Sequence, residues 1–166
     1  EISSLVGQLQ VQHGRNLALR RESRIRSIQS SLAIENNSLS LEQVTAILDG
    51  KRVLGPPDDI QEVKNAYDAY EKILAYDPFS VNDFLKAHEL LTQGLVGQSG
   101  RFRSKDVGIY NSQGEVIHVG APPQFVSGLV TDLFKWAKTD ETPLLIKSTV
   151  VHYEIEMIHP FEDGNG

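Results

Sequence analysis

The apolar residues between positions 60 and 74 follow a helical spacing, which favours a fold built mainly from helices. They recur at intervals of three, four, three and four: Ile60, Val63, Tyr67, Tyr70 and Leu74. This spacing places them on one face of an amphipathic helix, whereas a half-buried strand would alternate at every second residue. Asp77-Pro78 ends the helix, because proline disfavours helical backbone in the residue before it.

Similar spacing on both sides of this segment predicts further helices. The N-terminal stripe comprises Ile2, Leu5, Leu9, Leu17, Ile25, Ile28 and Leu32. Asn36-Asn37 can end that helix in left-handed backbone, and Ser40 with Gln43 matches a capping box for the next one. Helices are also expected over 81–91, 126–137 and 144–158; His88 is expected to be a structural histidine. The last helix is apolar on most sides and is expected to be surrounded by the others.

Two short β-prone runs, 107–110 and 115–119, are joined by Asn-Ser-Gln-Gly and predict a hairpin. An isolated hairpin is marginally stable in water, so this one is expected to pack on helices. The glycine-rich stretch 94–106 lacks periodicity and predicts a mobile loop. The predicted fold class is therefore mainly α, a helical bundle with one small β-hairpin.

Composition excludes several classes of function. The chain has 166 residues and a net charge of −6, from 16 Lys and Arg against 22 Asp and Glu, so nucleic acid is not an expected partner. The absence of cysteine excludes thiolate nucleophiles and cysteine-ligated zinc. No apolar run approaches the ~20 residues of a membrane span.

The last eight residues, His-Pro-Phe-Glu-Asp-Gly-Asn-Gly, concentrate the candidate chemistry. The proline cannot continue the preceding helix, so His159 is placed at a helix end. Gly164 and Gly166 flank Asn165 and permit backbone in which successive N–H groups bind one anion. Asp163 supplies a hard oxygen suited to Mg²⁺. Histidine, carboxylate and anion-binding backbone together predict a metal-nucleotide site with a base.

This octapeptide resembles, at every position present, the H-P-F-x-(D/E)-G-N-G-R signature of the Fic family, and the likeness extends from about residue 60 onward. The resemblance implies a Fic-like bundle in which the hairpin is a flap. It divides the chain into an N-terminal helical region, 1–57, and a Fic core, 58–166. It also implies roles for His159 as general base, Phe161 as structural anchor and Asp163 as Mg²⁺ ligand. The implied phosphate-binding residues are Gly164, Asn165 and Gly166.

The resemblance implies a protein adenylyltransferase, which transfers AMP from ATP to a Ser, Thr or Tyr hydroxyl of a target protein. ATP is then a substrate, Mg²⁺ a cofactor and the target protein a partner. An extended target segment would pair with the flap edge at Glu115, Val116, Ile117, His118 and Val119. The alternative is a flap that only covers the nucleotide.

A second motif implies regulation. The segment from Ser31 to Asn36 fits the (S/T)-x-x-x-E-(G/N) inhibitory pattern of Fic proteins, and Ser31 and Glu35 share one helical face. The resemblance implies that Glu35 pairs with the arginine of the signature and occupies the space of the ATP γ-phosphate. The protein is thus similar to autoinhibited Fic proteins.

Two alternatives stay open: a Fic-fold transferase of UMP, GMP, phosphocholine or phosphate, and a truncated binding module without catalysis. The signature arginine would come directly after Gly166, and both ends of the sequence resemble cut ends. This chain alone is therefore expected to be inactive. A cytoplasmic location and a homodimer are further expectations.

Overall fold

The computed structural model describes residues 13–111 and 113–164, apart from the side chains of residues 13–18, 109 and 110. The predicted positions Ile2, Leu5 and Leu9 lie outside these ranges. Six helices and two strands follow in chain order: α1 (His13–Ile34), α2 (Leu41–Leu48), α3 (Pro57–Lys72), α4 (Val81–Leu91), β1 (Gly108–Tyr110), β2 (Val116–Val119), α5 (Pro123–Thr139) and α6 (Leu144–Ile158). The predicted mainly α class is confirmed. The chain divides into two compact units between Lys64 and Asn65.

The first unit contains α1, α2 and the beginning of α3. Its buried apolar side chains are Ile25, Ile28, Leu39, Val44, Ile47 and Val63. The predicted capping box is present: Gln43 N donates to Ser40 Oγ at 3.2 Å, and Ser40 N donates to Gln43 Oε1 at 2.9 Å. Helix α1 ends before Asn36, whose φ of 68° is left-handed, as predicted.

The second unit has its core around α5. Helical spacing buries Val126, Val130, Leu133, Phe134 and Ala137, and this part of the prediction is confirmed. Phe134 meets Phe84 of α4 edge to face, with ring centroids 5.4 Å apart. Ile158 at the end of α6 joins the same cluster. The core thus links α4, α5 and the residue directly before the terminal loop.

Two burial predictions are wrong. Leu74 is 97% exposed, because α3 gives way to a short 3₁₀ turn at Ile73–Ala75 that ends the helical face. In α6 only Lys147 and Ile158 are buried, while Leu144 is 78% exposed. Within residues 13–111 and 113–164, α6 is therefore not surrounded. No helix in the same ranges combines the length and apolarity that crossing a bilayer requires.

The predicted hairpin is confirmed as an antiparallel pair of β1 and β2. Gly108 lies opposite Val119, and Tyr110 lies opposite Val116, with an irregularity in register between positions 109 and 110. The hairpin packs on α6, as expected: His118 Nε2 lies 2.8 Å from the Met157 carbonyl. Directly after β2, Ala121 N donates to the Ile158 carbonyl at 3.1 Å. The base of the flap and the end of α6 are thereby joined.

Candidate active site

His159 caps the C-terminus of α6 in left-handed backbone, with φ 51° and ψ 65°. Its N–H donates to the Ile155 carbonyl at 2.8 Å and closes the last helical turn. Pro160, which is fully buried, cannot extend the helix. The histidine is therefore held between a regular helix and a buried turn, the position expected from the sequence.

The surroundings of His159 favour a neutral imidazole. Burial lowers its pKa below the ordinary 6.5; the carboxylate and backbone of Glu156 oppose this shift, and the charges of Arg103 and His118 add to it. Among the described residues, Nδ1 of His159 and Oε1 of Glu156 are both buried. At neutral pH the ring is thus available as a base.

Phe161 lies in the core directly after this turn and is 1% exposed. Its ring contacts Phe84 and Phe102, with centroid distances of 5.2 and 5.8 Å. It also stacks on the imidazole of His88, with the centroids 3.7 Å apart and the planes 8° from parallel. These contacts hold the middle of the loop that follows His159.

His88 of α4 is buried, and both of its ring nitrogens have partners, as expected of a structural histidine. Gly100 N donates to Nδ1 at 2.9 Å, and Nε2 lies 2.9 Å from the Asp163 carbonyl. Because Nδ1 accepts a hydrogen bond, the neutral ring carries its proton on Nε2, and Nε2 donates a hydrogen bond to that carbonyl. Burial lowers the pKa of His88 and favours this neutral form.

Asp163 and Gly164 form the described end of the terminal loop. The Asp163 side chain is exposed, and its Oδ1 accepts from Gly164 N at 2.8 Å. Gly164 has φ +69°, in the region that glycine permits. The predicted phosphate-binding residues Asn165 and Gly166 lie outside the described residues.

A cation at Asp163 is compatible with the local chemistry. In the described part of the chain, no group of three or more His, Asp or Glu side chains lies together as a metal cluster. Mg²⁺ does not need such a cluster, because it commonly binds one or two carboxylates, substrate phosphates and water. The exposed carboxylate fits this ion, and it does not resemble a closed zinc or calcium site.

The predicted flap residues are accessible. Val116, Ile117 and Val119 of β2 are all exposed. Strand β2 pairs with β1 along one edge, and no other described strand joins this two-stranded sheet. The second edge of β2 can therefore accept an extended peptide. An apolar groove of about 580 Å³ beside β2, lined by Val119, Trp136 and Met157 among others, includes neither His159 nor Asp163.

The predicted inhibitory residues lie at the end of α1, in the first unit. Ser31 is in the last turn of the helix, Glu35 follows its last residue, and both are exposed. The connection that follows is held by Asp59, whose Oδ2 accepts from Ser38 N at 2.8 Å and from Ser38 Oγ at 2.5 Å. These hydrogen bonds lower the pKa of Asp59.

Sequence reasoning missed Arg103. It lies in the stretch predicted to be a mobile loop, yet it is 3% exposed and its N–H donates to the Pro160 carbonyl at 3.0 Å. Residues 101, 102 and 103 are exposed, half-buried and buried in turn, so this part of the predicted loop is packed. No signal in the sequence marks Arg103, because its partners are backbone carbonyls.

We expect Gly164→Ala to destabilise the terminal loop. A Cβ there would lie 2.7 Å from Thr92 Cγ2, and the residue would also be strained at its positive φ. Gly114→Ala is the matched control, because Gly114 has φ +80° but no atom within 4 Å of the added Cβ. Chemical denaturation should show a larger loss of unfolding free energy for Gly164→Ala; equal losses would contradict the steric argument.

Comparison with known proteins gives consistent matches. A family model described as the Fic/DOC family matches residues 78–166. The chain is 31% identical over 160 residues to protein adenylyltransferase fic-1 of Caenorhabditis elegans, covering 88% of this chain and 30% of that protein. It is 30% identical over 170 residues to protein adenylyltransferase Fic of Aedes aegypti, covering 91% of this chain and 32% of that protein.

Solved structures give the same picture. A Fic family protein from Desulfovibrio desulfuricans G20 has 49% identity and a TM-score of 0.89, covering 99% of this chain and 51% of that one. A Fic domain containing signaling protein from Bacteroides thetaiotaomicron shares the fold, at 20% identity and a TM-score of 0.88 over 99% of this chain and 65% of that one. The chain spans about a third of the length of the two curated relatives, from Caenorhabditis elegans and Aedes aegypti.

Proposed function

Since the chain belongs to the Fic/DOC family, we propose that the protein containing it is a protein adenylyltransferase, which moves AMP from ATP to a Ser, Thr or Tyr hydroxyl of a target protein. The observation that carries this proposal is the placement of a neutral, half-buried His159 at the start of an anchored loop that ends in an exposed Asp163. The names of the curated relatives support the choice of AMP. Because the chain spans only part of each relative, the proposal concerns the whole protein.

His159 is the proposed general base. Its Nδ1 is buried, which leaves Nε2 to accept the proton of the target hydroxyl. The hydroxyl oxygen then bonds to the α-phosphorus, the bond to the bridging oxygen of pyrophosphate breaks, and pyrophosphate leaves. The lowered pKa keeps the imidazole unprotonated at neutral pH, so it is ready to accept that proton.

The terminal loop is the proposed nucleotide site. Asp163 would hold Mg²⁺, which supplies charge neutralisation at the phosphates when bound. Gly164 with Asn165 and Gly166 would bind phosphate oxygens. His88 keeps the loop in place, because its ring bonds to the Asp163 carbonyl and stacks on the buried ring of Phe161. Positioning of this kind contributes much of the rate in phosphoryl transfer.

The flap is the proposed docking site for the target. The open edge of β2 presents Glu115, Val116, Ile117, His118 and Val119. Backbone pairing along this edge would hold an extended target segment, and the flap base is bonded to the end of α6 next to His159. A hydroxyl carried on that segment could thus be brought to the base.

Autoinhibition by Glu35 is the proposed regulation, with residues 1–57 as the inhibitory region and 58–166 as the Fic core. Glu35 carries the charge that would exclude a γ-phosphate, by repulsion as well as by volume. Ser31 and Asn36 belong to the same inhibitory segment. The match of residues 31–36 to the (S/T)-x-x-x-E-(G/N) pattern supports this role.

We expect Glu35→Gly in the full-length protein to increase automodification. Wild type and variant are incubated separately with ATP, UTP, GTP and CDP-choline, and intact-mass analysis identifies the group added. The prediction is an AMP adduct from ATP that is greater in the variant. The double variant Glu35→Gly with His159→Asn is the control and should carry no adduct.

Each other outcome has a definite meaning. An adduct from UTP, GTP or CDP-choline instead of ATP would show that the protein transfers another group and not AMP. An adduct of equal size in wild type and variant would contradict autoinhibition by Glu35. The protein is also incubated with each compound in a cell lysate. If no compound modifies either the protein itself or a lysate protein, the result would contradict the proposed transferase activity and favour a binding module.

A further inference from the structure

The guanidinium of Arg103 is surrounded by backbone carbonyls of the candidate site. Its Nε donates to the His159 carbonyl at 2.6 Å, and its Nη1 donates to the Lys105 carbonyl at 2.7 Å. Its Nη2 donates to the Ile158 carbonyl at 3.2 Å and to the Ala121 carbonyl. One side chain thus joins the end of α6, the turn at His159 and the base of the flap.

Burial lowers the pKa of Arg103, and the carboxylate of Asp106 opposes this shift without forming an ion pair. Among residues 13–111 and 113–164, no Asp or Glu forms an ion pair with Arg103. Its stabilising partners are instead the carbonyls at the C-terminus of α6, where the helix dipole is negative. A buried arginine stays protonated, so a positive charge is held beside His159.

The flap base approaches this arrangement so closely that a side chain does not fit. A Cβ on Gly120 would lie 2.8 Å from Arg103 Nη2 and 3.2 Å from His159 Cβ. Gly120 N also donates to the Val107 carbonyl at 3.1 Å. The flap, Arg103 and His159 are therefore in direct contact, and Arg103 is the member whose side chain bonds to the other two.

We propose that Arg103 is a positioning residue: by bonding the carbonyls of Ile158, His159 and Ala121, it sets the orientation of the His159 ring relative to the flap that would present the target. This inference rests on the proposed function, in which His159 must meet a hydroxyl held on the flap. Left-handed backbone is uncommon for histidine and is retained where the surroundings enforce it, as the Nε bond to its carbonyl does here.

The charge of Arg103 has a second effect on the same ring. It lowers the pKa of His159 in the same direction as burial and as His118 on β2, while Glu156 on α6 acts in the opposite direction. Removing the charge should raise that pKa, because protonation of the ring is then less opposed. Replacing the planar guanidinium by another positively charged group should leave the pKa of His159 low.

Two variants separate these effects in the full-length protein. Arg103→Met removes charge and fork, whereas Arg103→Lys keeps the charge and loses the fork. The pKa of His159 is measured by NMR titration of ¹³C-labelled histidine, with His159→Asn for assignment. AMP transfer is measured in the Glu35→Gly background, so that kcat and KM can be determined.

We expect Arg103→Met to raise the His159 pKa, to shift the acid limb of the pH–rate profile to higher pH, and to lower kcat roughly 10²-fold with KM for ATP little changed, as misplacement of a reacting group does. Arg103→Lys should also lower kcat, but the acid limb of its pH–rate profile should stay at the wild-type pH. A wild-type His159 pKa and kcat in Arg103→Met would overturn the proposal. If the full-length protein transfers no group, the positioning role is tested on the hydrogen bond between Arg103 Nε and the His159 carbonyl.

If Arg103→Met does not fold, the wild-type protein supplies the test. The Nε–H of Arg103 should exchange slowly with solvent and should show a scalar coupling across its hydrogen bond to the His159 carbonyl. A rapidly exchanging guanidinium without this coupling would overturn the proposal, whatever the activity of the protein.

Discussion

His159→Asn is expected to lower AMP transfer by about 10²–10⁴-fold, the usual contribution of a general base. Asparagine tolerates left-handed backbone better than most residues, so the turn at φ 51° should persist. Its amide cannot accept the hydroxyl proton at neutral pH. Initial rates in the Glu35→Gly background measure the loss, and calorimetric titration with ATP and Mg²⁺ should show unchanged affinity.

His159→Ala provides the comparison that separates chemistry from backbone strain. It removes the same base but is less suited to the left-handed turn, so it should lose stability as well as transfer. In the protein that retains His159, the rate of AMP transfer should fall only when the pH drops below 6.5, because burial lowers the pKa of His159. Transfer at the parent rate by His159→Asn would exclude His159 as the base.

Phe161→Ala is expected to reduce the free energy of unfolding of the second unit by about 3–5 kcal/mol. The ring is fully enclosed and contacts Phe84, Phe102 and His88, so its removal leaves a cavity and ends the stacking on the imidazole. Urea denaturation measures the change. Trp136, the only tryptophan of this chain, packs on the core of this unit and reports its unfolding by fluorescence.

Phe125→Ala is the matched control, because Phe125 lies on α5 in the same unit and is exposed. Its loss should change stability by no more than about 0.5 kcal/mol. Phe161→Leu should fall between the two, since leucine refills part of the cavity. Similar destabilisation by Phe125→Ala and Phe161→Ala would contradict the anchoring role.

Local sequence rules were sufficient for much of the fold. The spacing on α5, the Ser40 capping box and the hairpin all depend on interactions between residues close in sequence. Leu74 and the exposed face of α6 were not predictable in this way, because an apolar side chain is buried only when another element covers it.

The candidate site shows the same division. His159 was predictable because Pro160 ends the helix at that position. Arg103 was not, because its acceptors are backbone carbonyls and those at the candidate site lie 55 and 56 positions away along the chain. Every residue has such a carbonyl, so no residue type in the sequence marks the partners of a side chain of this kind.

The hydrogen bonds of His88 have a mechanical consequence. One imidazole is bonded to Gly100 and Asp163 and is stacked on Phe161, so a single side chain joins α4, the segment after it and the terminal loop. A force that pulled α4 along its axis would carry the Asp163 carbonyl with it. Any domain or protein that displaces α4 would therefore also displace the terminal loop without touching it.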